Sequence, residues 1–355
     1  MGVSIQSNQS NQSNQPMTDT EKTIRVPSDK MKSEFFRILK NLGFSELKAA
    51  KCAEIFTLNS IEGVYSHGVN RFQRFVSNIK EGFVIPEAEP ILVHRTGSLE
   101  QWNGNLGPGP LNASFATERV IELAKGNGIG LLAMANTNHW MRGGTYGWQA
   151  ARKGFVFIGW TNTCANMPAW GAKDPRLGNN PFVMALPYEK EAIVLDFAMT
   201  QFSYGKMETY MHEGKQLPFS GGFNDKNEIT TDPASILESW RPIPIGYWKG
   251  ASFSLVLDMF ATILSGGLST SDIKSCSSEY GVSQVFIAID IKNLKNFPSI
   301  AGSLNQIIDD LKKSQPESET SKIRYPGENV VQIRNSNLKD GIPVNSVIWD
   351  KILTL

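Results

Sequence analysis

The amino-acid sequence predicts an α/β protein in which a sheet-containing domain packs beside a helical domain. Apolar residues recur at helical spacing through the first part of the chain, whereas strand-like and helix-like segments alternate from residue 90 onward. A chain of 355 residues is also too long for one ordinary core. We therefore expect two or three domains that share a cleft.

Composition and charge narrow the class of protein. The hydrophobic fraction of 41% and the charged fraction of 19% are those of a globular protein. The 35 basic and 34 acidic residues leave a formal net charge of +1, so nothing favours nucleic acid or an anionic membrane as a partner. No uninterrupted apolar run approaches the roughly 20 residues that cross a bilayer, so we expect no membrane span.

The N-terminus is polar and repetitive. Ser-Asn-Gln recurs through Gln15, without the basic start and apolar run of a signal peptide. Residues 1–22 are therefore predicted to form a disordered polar tail, and we expect a cytoplasmic protein.

Three helices are predicted next, over residues 28–43, 45–63 and about 69–79. Ser28 and Ser45 can cap the first two, and Gly43 and Gly63 can end them. These helices make up the N-terminal part of the helical domain, which we place at residues 23–90.

Strands and helices then alternate through an α/β domain, residues 91–290. Strands are predicted at 91–93, 129–135, 155–160, 193–197 and 284–289, and helices at 111–125, 146–153 and 252–264. Residues 214–246, rich in Gly, Pro, Asp and Asn, are predicted to form a long irregular connection. In residues 291–355, helices near 300–312 and 344–353 return the chain to the helical domain.

The segment Gly128-Ile-Gly130-Leu-Leu-Ala133 matches the GxGxxA form of the dinucleotide fingerprint, but its context is wrong. The fingerprint requires a strand before the glycines and a helix after them, so that the pyrophosphate meets a helix N-terminus. Here a predicted helix precedes and a strand follows. We interpret Gly126 and Gly128 as the end of the helix.

His67 and Arg71 form the first candidate pair for chemistry. Four residues separate them, so both side chains would share a face of the third helix, with Ser66 as its cap. Reduction of a keto acid requires a proton donor beside the carbonyl oxygen and a cation that holds the carboxylate, and imidazole and guanidinium can supply these. The alternative is that His67 bonds a backbone carbonyl and Arg71 is a surface charge.

Two further candidates follow strands. His139 lies in a polar segment after the strand 129–135, where α/β proteins commonly bind ligands, although the segment could instead satisfy its own backbone. Asp196 lies inside the apolar run 193–198, and a buried carboxylate needs a partner, for which a histidine is natural. The alternative is an acid that caps a turn. His94 and His212 are interpreted as surface residues.

Trp248 and Lys249 precede a predicted helix. An indole can cover a flat ring, and an ammonium near a helix N-terminus can meet a pyrophosphate. The alternative is that Trp248 fills the core and Lys249 is solvated.

No metal site is predicted. The sequence has no HExxH motif and no His/Cys/Asp cluster, and Cys52, Cys164 and Cys276 lie far apart without CxxC spacing. No GxSxG motif is present either, so we do not expect a serine nucleophile.

Together these segments resemble the malate and L-lactate dehydrogenase family that is distinct from the Rossmann-fold enzymes of the same names. The resemblance extends from about Thr23 to the C-terminus, and it is carried by Tyr65–Phe75, Asn138–Ala151, Trp170–Pro181, Gln201–Glu208, Gly246–Gly250 and Glu279–Ile289. It implies a cytoplasmic homodimer that uses NADH, with NADPH as an option, to reduce the ketone of a small sugar-derived keto acid. It also implies that the cofactor binds a non-Rossmann sheet domain beside a helical domain.

The resemblance implies roles for individual residues. His67 corresponds to the proton donor and Asp196 to its acid partner, while Arg71 and His139 correspond to substrate contacts. The implied cofactor contacts are Ala192, Ile193, Val194, Leu195, Asp196, Phe197, Ala198, Trp248, Lys249, Gly327, Glu328 and Asn329.

Two alternatives remain open. The same chemistry could act on another keto acid, such as oxaloacetate, pyruvate or an oxidised ureidoglycolate. A ligand-binding relative could also have kept the fold and lost the reaction, although such a protein would have no physical need to keep His67, Arg71, His139 and Asp196 together.

Overall fold

The structure, a computed structural model, describes residues 22–273 and 279–355. The predicted tail therefore lies, apart from Lys22, outside the described residues. The helices are α1 (Ser28–Asn41), α2 (Glu46–Ile61), α3 (Val69–Lys80), α4 (Gly109–Asn127), α5 (Gly144–Ala151), α6 (Tyr204–His212), α7 (Pro233–Ser239), α8 (Trp248–Ser265), α9 (Phe297–Lys312), α10 (Glu328–Asp340) and α11 (Ser346–Leu353). The strands are β1 (Thr23–Val26), β2 (Ile91–Thr96), β3 (Leu99–Asn103), β4 (Ile129–Thr137), β5 (Phe155–Thr161), β6 (Met167–Pro168), β7 (Pro175–Leu177), β8 (Phe182–Tyr188), β9 (Glu191–Phe197), β10 (Gly222–Phe223), β11 (Ile229–Thr230), β12 (Val282–Asp290) and β13 (Ile342–Asn345).

A seven-stranded sheet in the order β2-β3-β4-β12-β5-β8-β9 forms the centre of the fold. Its neighbouring strands are antiparallel except β3 and β4, which are parallel. Successive side chains of β4 face different apolar clusters, Leu132 and Met134 on one side and Ala133 on the other. α4 and α5 cover the first face, and α8 covers the second. This layered α/β arrangement confirms the predicted fold class in outline.

The N-terminal helices build a core of their own. The ring of Phe72 stacks on Phe35 at 4.0 Å and meets Phe56 edge-on at 5.1 Å. Residues of β13 and α11 belong to the same cluster, and β1 pairs with β13 in an antiparallel ladder. Residues near the end of the chain thus pack in the helical layer. α9 does not join this core, because its buried residue is Ile308 and that residue lies outside the cluster.

The interpretation of the GxGxxA segment is confirmed. α4 ends at Asn127, Gly128 follows with a left-handed φ of 78°, and β4 begins directly afterwards. A helix therefore precedes these glycines and a strand follows them, so no helix N-terminus is available there for a pyrophosphate.

Several elements differ from the sequence prediction. The connection 214–246 is not irregular throughout, because it contains α7 and the β10–β11 pair. Asp232 caps α7 by accepting the Ser235 N–H, and Pro233 opens the helix. α8 begins at Trp248 rather than Ser252, and α6 and α10 were not predicted. The helices α6 and α10 each have one buried residue, so their apolar periodicity is weak.

Candidate active site

His67 lies on a 3₁₀ turn between α2 and α3, and not on α3 as its spacing predicts. Two buried side chains of α2 hold this turn. Asn59 Nδ2 donates to the His67 carbonyl oxygen at 2.9 Å, and Ser60 Oγ accepts from the Val69 N–H at 2.9 Å. Gly68 is required between them, because a Cβ there would overlap Ser60 Oγ. The position of His67 is therefore set by α2.

The imidazoles of His67 and His139 face each other. Their ring centroids are 5.7 Å apart, and the ring planes differ by 22°. His139 follows β4, and its Nδ1 accepts from the Met141 N–H at 2.9 Å. Ser66 Oγ lies 3.1 Å from His67 Nδ1, a contact that replaces its predicted role as the cap of α3. The fold thus unites two histidines that the sequence singled out separately.

Both imidazoles are held neutral at physiological pH. Burial lowers the pKa of His67 to about 4, with help from the positive charges of Arg71 and Arg142. Burial also lowers the pKa of His139 well below its usual value, with contributions from Arg71, His67 and Arg74. An anion bound beside these cations would favour the protonated form and raise the pKa of His67.

Arg71 supplies a positive charge beside the two rings. Burial lowers its pKa, as does Arg74, whereas Glu279 and Glu208 act in the opposite direction. Among the ion pairs formed within residues 22–273 and 279–355, none includes Arg71. Its guanidinium is therefore not committed to an ion pair within the described residues.

The helix α6 closes over the same turn. A Cβ on Gly205 would lie 2.6 Å from Ser66 Cβ, so the glycine permits close packing of α6 on the residue beside His67. This packing brings Glu208 within electrostatic range of Arg71. The sequence prediction missed α6, and with it this wall of the site.

Asp196 lies near the end of the edge strand β9, with a contact that was not predicted. Its Oδ2 accepts from the Gly144 N–H at 2.8 Å, and no hydrogen bond joins it to His67 among those of the described residues. The residue is exposed rather than buried. Protein around the carboxyl nevertheless displaces enough water to raise the pKa of Asp196, and Arg142 and the Gly144 N–H oppose this rise. The predicted direct Asp–His pair is therefore not formed.

Two segments predicted to bind a cofactor, residues 327–329 and 248–249, approach β9, whose residues are the third predicted segment. The Val194 N–H donates to the Pro326 carbonyl at 3.1 Å on the outer side of the strand, which puts residues 327–329 at its free edge. The Ile245 N–H donates to the Met199 carbonyl at 2.8 Å, so the chain that leads to Trp248 and Lys249 lies just beyond the end of β9. Residues distant in sequence thus line one edge of the sheet.

Trp248 and Lys249 are both exposed at the N-terminus of α8, Trp248 by 60% of its surface. This exposure excludes the alternative in which Trp248 fills the core. Tyr247 precedes the helix with φ 60°, and its ring lies 4.9 Å from that of Trp170. Glu328, in contrast, is already paired with Lys312 at 2.6 Å.

Sequence reasoning missed a buried ion pair at the base of the site. Arg142 donates directly to the carboxylate of Glu62, and the side chains are 6% and 0% exposed. Arg142 belongs to the segment that includes His139, but spacing could not reveal a partner 80 residues away. A second cation, Arg334 on α10, reaches the same carboxylate at 2.8 Å.

The described ranges contain no group of three or more His, Cys, Asp or Glu residues that could hold a metal ion. Cys276 lies outside the described residues. His94 and His212 are exposed, as predicted. No helix in the part of the chain that the structure describes is long and apolar enough to cross a membrane.

Comparison with known proteins gives consistent results. A family profile described as malate/L-lactate dehydrogenase matches residues 26–353. The 2,3-diketo-L-gulonate reductases of Salmonella newport (strain SL254) and Escherichia coli O6:K15:H31 are each 43% identical over 333 residues, which cover 94% of this chain and 100% of each relative. The structure of malate dehydrogenase from Pyrococcus horikoshii OT3 superimposes with a TM-score of 0.84 at 28% identity, over 93% of both chains.

Proposed function

The chain belongs to the malate/L-lactate dehydrogenase family and is an oxidoreductase, and from this premise we propose that it uses NADH to reduce 2,3-diketo-L-gulonate to 3-dehydro-L-gulonate. The observation that carries the proposal is the meeting of two neutral imidazoles with an arginine that has no ion-pair partner among the described residues. The relatives named 2,3-diketo-L-gulonate reductase favour this keto acid over others.

The free edge of β9 fits a nicotinamide cofactor. Because the Val194 N–H points away from β8, strand geometry directs the backbone N–H and C=O of Ala192 and Asp196 the same way, where they can bond a carboxamide or ribose. Gly327, with φ 90°, lies so close that a Cβ would stand 3.2 Å from Val194 N and 3.4 Å from the Trp148 ring. We assign residues 192–198 and 327–329 to this non-Rossmann site.

The N-terminus of α8 fits the phosphate end of the same cofactor. Lys249 is exposed there without an ion pair among those of the described residues, and the first N–H groups of the helix add a partial positive charge. Trp248 offers an exposed indole face against which a flat ring can pack. When bound, the reduced nicotinamide supplies the hydride that a ketone carbon accepts.

His67 acts as the proton donor in this proposal. Because burial lowers the pKa of His67 to about 4, its imidazole is neutral and must take up the proton when the anionic substrate arrives. Arg71 binds the substrate carboxylate and His139 contacts the substrate beside His67. Asp196 accepts the Gly144 N–H and so holds the start of α5 against the end of β9. An imidazole can donate this proton once a bound anion has raised its pKa.

We also propose that the protein is cytoplasmic, because the reaction draws on an intracellular pool of reduced cofactor. We further propose that it is a homodimer. One face of α8 is apolar and exposed, with Val256 at 42%, Met259 at 51%, Phe260 at 51% and Ile263 at 72%. An exposed apolar helix face of this kind is a typical protein-binding surface. We assign it to a second copy of the chain, related by a two-fold axis.

The reaction is tested with purified protein, NADH or NADPH, and a panel of keto acids. We expect the highest kcat/KM with NADH and 2,3-diketo-L-gulonate, because the relatives carry that name. Oxaloacetate, pyruvate and the oxidised ureidoglycolate are the alternative substrates in the panel. Turnover of each keto acid is followed by nicotinamide absorbance. A preference for another acid would reassign the substrate, and no turnover with any of them would favour a ligand-binding relative.

His67→Asn should lower kcat by about 10²- to 10⁴-fold, because it removes the general acid but keeps a side chain of similar size. In the wild type, kcat/KM for reduction should fall as the pH rises above the pKa of His67 in the free enzyme, about 4. The corresponding fall in kcat should occur at higher pH, because the bound anion raises the pKa of His67. The exposed His212→Asn variant is the control. Unchanged turnover in folded His67→Asn protein would rule out this assignment.

Lys249→Ala should weaken NADH binding by on the order of 1–3 kcal/mol, the effect of losing a charge-assisted bond. Thermal stability without ligand should stay the same, because Lys249 is exposed. Titration with NADH measures the affinity, and the exposed Lys190→Ala variant on the β8–β9 turn is the control. Wild-type affinity in Lys249→Ala would place the phosphates elsewhere.

Phe260→Asp should convert the dimer to monomers, because it buries a charge in the centre of the apolar face. Sedimentation equilibrium should give twice the chain mass for the wild type and for Leu47→Asp, which alters a leucine 82% exposed on α2. A wild-type monomer, or a Phe260→Asp dimer, would contradict the assigned interface.

A further inference from the structure

The ring of His139 is held by the backbone of its own loop. Its Nδ1 accepts the Met141 N–H at 2.9 Å, two residues further along the chain, much as an Asn or Asp side chain accepts a backbone N–H in a turn. A ring nitrogen that accepts a hydrogen bond carries no proton, so the proton of neutral His139 lies on Nε2. The imidazole therefore presents a hydrogen-bond donor at Nε2.

The peptide group that supplies this N–H is fixed from its other side. The Trp140 carbonyl belongs to the same peptide group, and the buried Tyr146 hydroxyl donates to it at 2.6 Å. Because the C=O and N–H of a trans peptide point in opposite directions, the bond to Tyr146 keeps the N–H directed at the imidazole. Met141 has a left-handed φ of 67°, and its side chain, 5% exposed, packs in the cluster of the N-terminal helices. The helical layer thus holds the donor in place.

The residue before His139 is fixed as well. The Asn138 side chain donates to three backbone carbonyls, those of Phe83, Leu106 and Gly107, at 3.1, 2.8 and 3.0 Å. The Asn138 carbonyl accepts from Gln284 Nε2 at 3.0 Å. The backbone is therefore held on both sides of the imidazole, and the bond to its Nδ1 is part of a rigid loop.

His67 has a different kind of partner. Ser66 Oγ lies 3.1 Å from His67 Nδ1. A hydroxyl can donate to a neutral ring nitrogen or accept from a protonated one, so this contact persists when His67 gains a proton. A proton on His139 Nδ1 would instead oppose the Met141 N–H, donor against donor. The buried N–H would then lose its acceptor, which is unfavourable because the group has no water to replace it.

The site also disfavours two charged rings. The centroids of His67 and His139 are 5.7 Å apart, and two imidazolium ions so close would repel each other. Arg71 and Arg74 are the cations that act on His139, and burial lowers its pKa most. Arg71 and Arg142 act on His67 in the same direction. One ring at a time can therefore take up a proton, and the partners of the two Nδ1 atoms decide which.

We propose that Met141 is a positioning residue: its N–H holds His139 as a neutral Nε2–H donor, which leaves His67 as the imidazole that carries the proton for the ketone. The proposal rests on the reductase function proposed above. As the ketone carbon accepts the hydride, its oxygen takes the proton of His67, which becomes neutral again. His139 donates from Nε2 to a substrate oxygen and keeps its own proton throughout.

The protonation of each ring nitrogen can be read from two-bond ¹H–¹⁵N NMR spectra of the full chain labelled with ¹⁵N-histidine, with signals assigned by His67→Asn and His139→Gln. In the ligand-free protein His139 should stay in the neutral Nε2–H form between about pH 5 and pH 8, where an ordinary imidazole titrates. Met141→Gly keeps the N–H and accommodates the left-handed φ, but it removes the side chain that anchors the donor. It should let the Nδ1–H form of His139 appear, whereas Met141→Leu should match the wild type.

Two substitutions of His139 separate the roles of its nitrogens. In His139→Asn the amide oxygen can accept the Met141 N–H, but no donor reaches the position of Nε2, whereas the longer amide of His139→Gln restores one. KM for the keto acid should rise on the order of 10-fold in His139→Asn, the effect of one lost hydrogen bond, and should recover in His139→Gln. In both variants kcat should fall at the same pH as in the wild type, because His67 supplies the proton.

An Nδ1–H or doubly protonated His139 in the wild-type protein would overturn the inference. So would a Met141→Gly spectrum identical to that of the wild type, or loss of the pH dependence of kcat in both His139 variants. If Met141→Gly does not fold, the wild-type spectrum and the two His139 variants still decide. The expected NMR spectra in a protein that reduces none of the keto acids would support the role of Met141 and contradict the reductase proposal instead.

Discussion

The buried carboxylate of Glu62 constrains the arrangement of the whole site. A carboxylate without solvent must be paired, and here two guanidiniums reach it, Arg142 from the segment after β4 and Arg334 from α10. Two distant parts of the chain therefore have to close on the end of α2. The same end of α2 holds the His67 turn through Asn59. Satisfying one buried charge thus also brings together His67, the His139 segment and the helix that follows Gly327.

The position of β9 at the edge of the sheet determines what it can bind. An interior strand uses its backbone groups for pairing on both sides, whereas an edge strand leaves half of them free. Here the Pro326 carbonyl takes the Val194 N–H, and strand geometry turns the backbone groups of Ala192 and Asp196 to the same side. The proposed cofactor site needs no glycine fingerprint, because the strand would supply donors and acceptors and a separate helix the partial positive charge.

The sequence alone predicted the alternation of helices and strands and excluded the GxGxxA segment as a dinucleotide site. It also selected His67, His139 and Arg71 as candidates. It was not sufficient for their contacts. The four-residue spacing of His67 and Arg71 predicted that both lie on the third helix. Because Gly68 packs on Ser60, α3 begins at Val69, two residues after His67. Asp196 was expected to be buried against a histidine, yet it bonds the Gly144 N–H. Glu62 and Arg142 have no local signature, because a buried ion pair is defined by two residues that only the fold brings together.

The electrostatics of the site link substrate binding to protonation. His67 is neutral, and Arg71 forms no ion pair among those of the described residues. An anion that binds there lowers the free energy of the protonated imidazole, so binding and proton uptake favour each other. A ketone without a carboxylate could enter the same space, but it would leave His67 unprotonated. If His67 is the acid, as proposed, the site would then lack it, and discrimination between keto acids and simple ketones would arise in the chemical step as well as in binding.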